Sequence, residues 1–212
     1  MRNNIHIDPK LTFPLVQWVL NRFDNENIFD DFPDHPTGYV RCIDYIHDKK
    51  DKLVSDGFSY DNLEIIHKEL LRGFGFDINL PIEENMGIMI CYSTKGHRVH
   101  LHNDTNFNSE GKGWELNQHI PNKFIGDVIH ARLNILLSKP TKGGNPIIQD
   151  IEYNIDENEG WLCVSGIKEH ATTEIEGDKP RILLSFGHWV PKEELLERGI
   201  ITHEEINNFK LG

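Results

Sequence analysis

His102 and Asp104, in the run VHLHND that ends at Asp104, form an H-x-D pair, and two further residues of useful chemistry follow it. His170 lies 68 residues after His102, and Arg181 another 11 residues on. Two imidazoles and one carboxylate are the donor set of the facial arrangement that holds iron(II), Fe(II), while leaving three positions open for substrate and dioxygen (O2). A guanidinium near such a centre can hold a distant carboxylate of a cosubstrate through a bidentate pair, with a directionality that lysine lacks. The short motif alone says little, because 12 His and 16 Asp in 212 residues give about one such pair by chance. His6-Ile7-Asp8 is a second one. It lies outside any strand pattern, at a terminus expected to fray, and is assigned to chance. What distinguishes His102 and Asp104 is the company of His170 and Arg181.

The elements that must position these residues change character along the chain. From residue 87 onward, GIMICYS, RVHLHND, HARLNILLS, NPIIQDIEYN, GWLCVSGI and RILLSFGHWV are short runs rich in Ile, Leu and Val, separated by turn residues. With no long helical pattern between them, they predict an antiparallel double-sheet barrel rather than βαβ units. Upstream, residues 11–23 carry Leu15, Trp18, Val19 and Phe23 at helical spacing, with Pro14 placed in a first turn. Residues 61–73 read as a second amphipathic helix, with Asp61 as N-cap and Gly73 at its end, and residues 25–56 as mostly loop. Thr202-His203-Glu204-Glu205 is a capping box opening a last short helix. The expectation is one α+β domain over 1–212 with a mainly β core: helical support over 1–86, a jelly-roll or cupin-like double-stranded β-helix over 87–191, and a helical tail over 192–212. Trp18 and Trp161 are expected in the core.

This pattern resembles the 2-oxoglutarate- and iron(II)-dependent oxygenase superfamily, whose double-stranded β-helix carries H-x-D, a distal His, then Arg about ten residues later. The resemblance covers about residues 87–191, half the chain. Tyr92-(x3)-Gly96-(x5)-His102-x-Asp104, the strand Arg132-Leu-Asn-Ile-Leu-Leu followed by Gly143-Gly144, and Gly187-His-Trp-Val look similar to the prolyl-hydroxylase-like branch. Two positions depart from that branch: Arg181 stands where it usually has Lys, and Asn145 where it has an acid after the double glycine. RILLSFGHWVP is also similar to the aspartyl/asparaginyl hydroxylase branch, which typically lacks the carboxylate ligand that Asp104 would supply. The resemblance implies that His102, Asp104 and His170 bind the iron as the catalytic centre and that Arg181 pairs with the C5 carboxylate of 2-oxoglutarate. It implies oxidative decarboxylation of that cosubstrate to succinate and carbon dioxide, coupled to hydroxylation or another oxidation of a substrate C–H.

Further candidates surround this set. Tyr92, and Ser185 on the same strand face as Arg181, are expected to offer hydroxyls to the cosubstrate carboxylate. His130, Arg132 and Asn134 share one strand face, opposite Leu133, Ile135 and Leu137, and are expected to point inward toward substrate or cosubstrate. Strand period 2 also puts His100 on the face of His102 and Asp104. A cupin centre would use that HxH pair, but Thr105 and Asn106 stand where its glutamate would be, so His100 is read as supporting or lining the substrate side. Asn106 and Trp114 fall in residues 105–127, a connection too long for a hairpin and read as a substrate-gating lid. A divalent-metal hydrolase or isomerase stays open as an alternative, although there is no H-E-x-x-H, and so does a non-catalytic binding module.

Composition narrows the partners. With 22 Lys+Arg against 34 Asp+Glu the net charge is −12, which disfavours phosphate backbones and anionic lipid. No apolar run approaches the roughly 20 residues of a membrane span, and the opening MRNNIHIDPK lacks the apolar core of a secretory signal. Cys42, Cys91 and Cys163 form no CxxC pair and no even set, so reduced thiols are expected, with Cys91 and Cys163 as small core residues. The reading is a cytoplasmic enzyme acting on a small molecule, an amino acid or a peptide side chain, with no nucleic-acid or membrane partner.

Overall fold

The structure, a computed structural model, describes residues 5–23, 30–32, 40–43, 46–83, 87–104 and 128–210. Ten strands are described: β1 (Ile5–His6), β2 (Asp30–Phe32), β3 (Val40–Ile43), β4 (Ile88–Ser93), β5 (Val128–Ser138), β6 (Pro146–Ile148), β7 (Ile151–Glu152), β8 (Glu159–Cys163), β9 (His170–Thr172) and β10 (Arg181–Pro191). The helices are α1 (Pro9–Arg22), α2 (Lys50–Ser55), α3 (Tyr60–Phe74), α4 (Lys192–Glu197) and α5 (His203–Lys210). All described strand pairs are antiparallel. They form a seven-stranded sheet in the order β1-β8-β5-β10-β4-β3-β2 and a three-stranded sheet in the order β7-β6-β9.

Strand alternation sorts the large sheet into two faces. On β10, Ile182, Leu184, Phe186 and Val190 join the main core, while Arg181, Leu183 and Ser185 line a cavity on the other side. The partner strands follow suit: Leu133 and Ile135 of β5 and Ile88, Ile90 and Tyr92 of β4 lie on the core side. Against that side pack α1, through Leu15, Trp18 and Val19, and α3, through Leu63, Ile66, Leu70 and Leu71. These are the i, i+3, i+4, i+7 stripes of amphipathic helices. The small sheet covers the opposite face, and the cavity lies between the two sheets.

Several local details differ from the sequence expectations. α1 starts at Pro9, because Asp8 accepts a 2.9 Å hydrogen bond from the Lys10 amide and Pro9 suits the first turn. Pro14 therefore sits inside the helix rather than in its first turn. His6-Ile7-Asp8 is not frayed: Ile5 and His6 pair with Gly160 and Glu159 of β8, and Ile7 is fully buried. α3 begins after Ser59 and ends at Gly75 in the left-handed region, one turn-edge beyond the expected Gly73. The stretch expected as loop contains β2, β3 and α2. NPIIQDIEYN splits into β6 and β7 because Gln149 and Asp150 both take positive φ, the signature of a two-residue hairpin turn. RVHLHND is not a regular strand; it meets β9 at the bridge between His102 and His170 and at Val99, whose carbonyl accepts from the Thr172 N–H at 3.0 Å and whose N–H donates to Thr172 Oγ1 at 2.8 Å. The capping box forms as read, with Glu205 N–H donating to Thr202 Oγ1 and Thr202 N–H to Glu205 Oε2.

Candidate metal centre

The bridge between His102 and His170 sets the geometry of the site. Each backbone N–H donates to the other's carbonyl, at 3.1 and 2.7 Å, which brings the two rings to a centroid separation of 4.2 Å. Each ring then uses Nδ1 against the carbonyl two residues before it, His102 on His100 at 2.8 Å and His170 on Lys168 at 3.1 Å. An Nδ1–H donated this way fixes the tautomer and leaves the Nε2 lone pair facing inward. Asp104 is held against the turn that follows β8 by its N–H, which donates to Ser165 O at 2.8 Å. Its Oδ1 lies 3.7 Å from His102 Nε2 and 3.6 Å from His170 Nε2. One ligand atom from each of the three falls within 4.8 Å of the others, and this is the metal-type group found among the described residues.

The second carboxylate oxygen is engaged elsewhere. Asp104 Oδ2 accepts from Arg132 Nε at 3.2 Å and lies 3.0 Å from His130 Nδ1, which also contacts Ser165 Oγ at 3.0 Å. Burial works against the carboxylate, but His130, Arg132 and His170 outweigh it and hold Asp104 well below the usual carboxylate range. Burial lowers His170, so its imidazole is neutral and its lone pair available near neutral pH. For His130 burial is again opposed, here by the Asp104 and Glu83 carboxylates, and the net direction is upward. A thiolate ligand is disfavoured, since burial pushes Cys163 up to about 12.

The centre opens into a cavity of about 180 Å³ whose far end carries Arg181. This guanidinium is 4% exposed, and burial pulls it down to about 10. Its Nε donates to Gly144 O at 2.9 Å, and no carboxylate among the described residues pairs with it. Gly144, at φ 73°, is what allows this approach: a Cβ there would come within 3.2 Å of Arg181 Cδ and 3.0 Å of Pro140. The walls between the two ends are mostly apolar, with Met89, Val99, Ile147, Trp161 and Leu183.

The remaining candidates divide. Ser185, Arg132 and Asn134 line the cavity, and Arg132 Nη1 donates to Ser185 Oγ at 3.2 Å. Cys91 and Cys163 line it too, and Cys163 is at the same time a small core residue, packed with Leu136, Ile148, Ile155 and Trp161. Tyr92 is a correction: strand alternation turns it to the helix side, where its ring stacks on Phe23 at 4.9 Å, so its hydroxyl does not face Arg181. His130 is another. It points inward but stands behind Asp104, outside the cavity lining, so it supports the carboxylate rather than touching a substrate. His100 is exposed and contributes its carbonyl to His102, and its ring is not in the metal-type group. Asn106, Trp114 and the lid expected over residues 105–127 lie outside the described residues. Two residues were missed: Ser165, which anchors Asp104, and Glu83, buried behind His130 and Arg132. A glycine inside a strand marks close approach of another group, and Gly187 of β10 was the available signal for Glu83, whose carboxylate a Cβ at that position would strike at 2.6 Å.

No protein-family model matches this chain. No curated protein matches it in sequence. Solved structures do match in fold. The non-heme alpha ketoglutarate dependent epimerase SnoN from nogalamycin biosynthesis aligns over 87% of this chain and 74% of its own, at 8% identity and a TM-score of 0.57. The viral collagen prolyl hydroxylase vCPH from Paramecium Bursaria Chlorella virus-1 aligns over 89% and 96%, at 10% identity and a TM-score of 0.52. A predicted oxalate decarboxylase from Thermotoga maritima also aligns, over 77% and 93%, at 9% identity and a TM-score of 0.41. The structural neighbours thus include 2-oxoglutarate and iron(II) oxygenases, prolyl hydroxylases among them, and at these identities the likeness is one of fold.

Proposed function

We propose that this chain is an Fe(II)- and 2-oxoglutarate-dependent oxygenase built on a double-stranded β-helix, using O2 to oxidise a C–H of a small molecule, amino acid or peptide side chain. One observation carries the reading: a single cavity has a His102/Asp104/His170 donor set at one end and a buried arginine with no carboxylate partner among the described residues at the other. The donor set suits Fe(II), with two imidazoles, one carboxylate oxygen and open positions toward the cavity. Arg181 suits the remote carboxylate of a dicarboxylate, because a desolvated guanidinium without a counter-ion is costly until an anion meets it.

The chain's own residues divide the work. His102 and His170 present Nε2, Asp104 presents Oδ1, and Arg132 with His130 occupies Oδ2 so that the carboxylate binds through one oxygen. Arg181 fixes the far carboxylate of 2-oxoglutarate and thereby the direction from which its other end meets the metal, while Ser185, further along the same strand face, holds Arg132. The apolar walls keep bulk water from the reacting atoms. The iron, when bound, supplies the activation of dioxygen.

The test is release of succinate from 2-oxoglutarate by protein loaded with Fe(II) without oxygen and then exposed to it, across a panel of amino acids, small metabolites and peptides. Oxygen-dependent succinate with a +16 Da product supports the reading, the mass being one oxygen atom, roughly 16 Da, added at a C–H. Metal uptake without oxygen-dependent succinate under any panel member would contradict it.

A further inference from the structure

Behind the Asp104 oxygen that faces away from the imidazoles, His130 and Arg132 are backed by a buried acid, Glu83, to which the proposed chemistry assigns no role. Glu83 is 1% exposed, and its Oε1 lies 3.6 Å from His130 Nε2 and 3.7 Å from Arg132 Nη2. Those two nitrogens are the side-chain atoms of His130 and Arg132 that reach no hydrogen-bond partner within ordinary distance. Both face the same carboxylate oxygen, and each belongs to a side chain with another nitrogen, His130 Nδ1 or Arg132 Nε, on Asp104 Oδ2.

The fold goes to some length to put Glu83 there. Its N–H donates to Gly187 O at 2.9 Å, Ile82 bridges His188, and the His188 ring contacts Pro81 O at 2.9 Å, so the segment is fastened along β10. The Gly87 N–H donates to Glu83 Oε1 at 2.8 Å. Gly187 leaves the space: a Cβ there would meet Glu83 Oε1 at 2.6 Å and Cγ at 2.7 Å. A carboxylate this deeply buried carries a large desolvation cost, which a purely structural residue would avoid by being apolar.

We infer that Glu83 is a positioning residue that acts through His130 and Arg132 to hold Asp104 in a one-oxygen binding mode. It fixes the orientation of both donors, they hold Oδ2, and Oδ1 alone stays turned toward the Nε2 atoms. Without Glu83 the imidazole and guanidinium are free to rotate away, Oδ2 is released, and the carboxylate can close on a metal with both oxygens, filling a position the cosubstrate or dioxygen needs. The inference rests on the metal-centre reading above and extends it to a residue one layer further out.

The test uses Co(II) as the probe metal and Glu83→Gln, which keeps the shape of the side chain and removes its charge. Wild type and variant are titrated with Co(II) and compared by calorimetry and by the intensity of the visible d–d absorption, which falls as coordination number rises. We expect affinity for Co(II) to drop about 10- to 100-fold, the usual effect of removing an outer support of a ligand, together with weaker absorption per bound ion. Glu83→Asp, which retains a carboxylate, should recover part of both. If Glu83→Gln does not fold, His130→Gln, which removes the intermediary, should give the same two changes. Unchanged affinity and unchanged absorption in a folded Glu83→Gln protein would overturn the role of Glu83 alone. Failure of the wild type to take up Co(II) would instead overturn the metal-centre reading, and this inference with it.

Discussion

At the scale of single residues, four side chains, His102, Asp104, His170 and Arg181, define the two ends of the cavity. Replacing His102, Asp104 or His170 with Ala should abolish stoichiometric iron while leaving the fold in place, because all three line the cavity and none belongs to the hydrophobic core. Metal analysis with circular dichroism checks this, and a His170→Ala protein that keeps one iron would contradict it. His6→Ala should change nothing, since His6 lies on β1 away from the metal-type group. Arg181→Leu should weaken 2-oxoglutarate binding by orders of magnitude with iron uptake retained. The same change removes a buried charge with no carboxylate partner among the described residues, so the thermal midpoint of the metal-free variant should match or exceed that of wild type. A large loss of stability would assign Arg181 a structural role. The donor set and Arg181 were legible in the sequence because their types and order carry the chemistry. Tyr92 was misplaced because its role was carried over from a motif, whereas the alternation of β4 decides its face. Glu83 was illegible because nothing in PIEEN distinguishes a buried acid from a solvated one.

At the scale of elements, α3 and β10 tie the site to the core. Leu70 of α3 packs so closely on β8 that a Cβ at Gly160 would stand 2.3 Å from Leu70 Cδ2. Gly160→Ala should therefore cost about 1–3 kcal/mol in urea unfolding, the range for overpacking a tight contact. The same helix carries His67, whose Nε2 lies 3.1 Å from His188 Nε2 on β10 and whose ring stacks on Phe186. Burial and the neighbouring ring push His67 down to about 3, and burial pushes His188 down to about 4. In the unfolded chain both titrate near 6.5. As pH falls below about 6.5 the unfolded state takes up protons that the folded pair refuses, so the stability present above that pH is lost progressively toward pH 4. For metal-free protein the loss should be on the order of 1–2 kcal/mol per pH unit, and His67→Gln should show a shallower slope. Equal slopes would remove the pair from the pH response. The strands of the large sheet were readable from their apolar runs. The apolar alternation around His102 predicts a strand, but the bonding of this segment to β9 depends on a distant pairing that no local periodicity records.

At the scale of the whole molecule, two antiparallel sheets enclose one cavity, with α1 and α3 stiffening the outer face of the larger sheet. No described helix is long and apolar enough to cross a membrane. The net charge of −12 leaves Arg181 as a local exception, a buried cation inside an acidic protein, and this favours an anionic small molecule at that end of the cavity. The central claim is that the metal end and the arginine end act on one cosubstrate. Its most direct test is binding of 2-oxoglutarate, measured by calorimetry without oxygen, to wild type, His170→Ala and Arg181→Leu, each with and without Fe(II). If the claim holds, wild type binds tightly only with iron, His170→Ala loses the iron-dependent gain, and Arg181→Leu loses affinity by orders of magnitude while still holding iron. Binding that is indifferent to iron, or equal in wild type and Arg181→Leu, would contradict it.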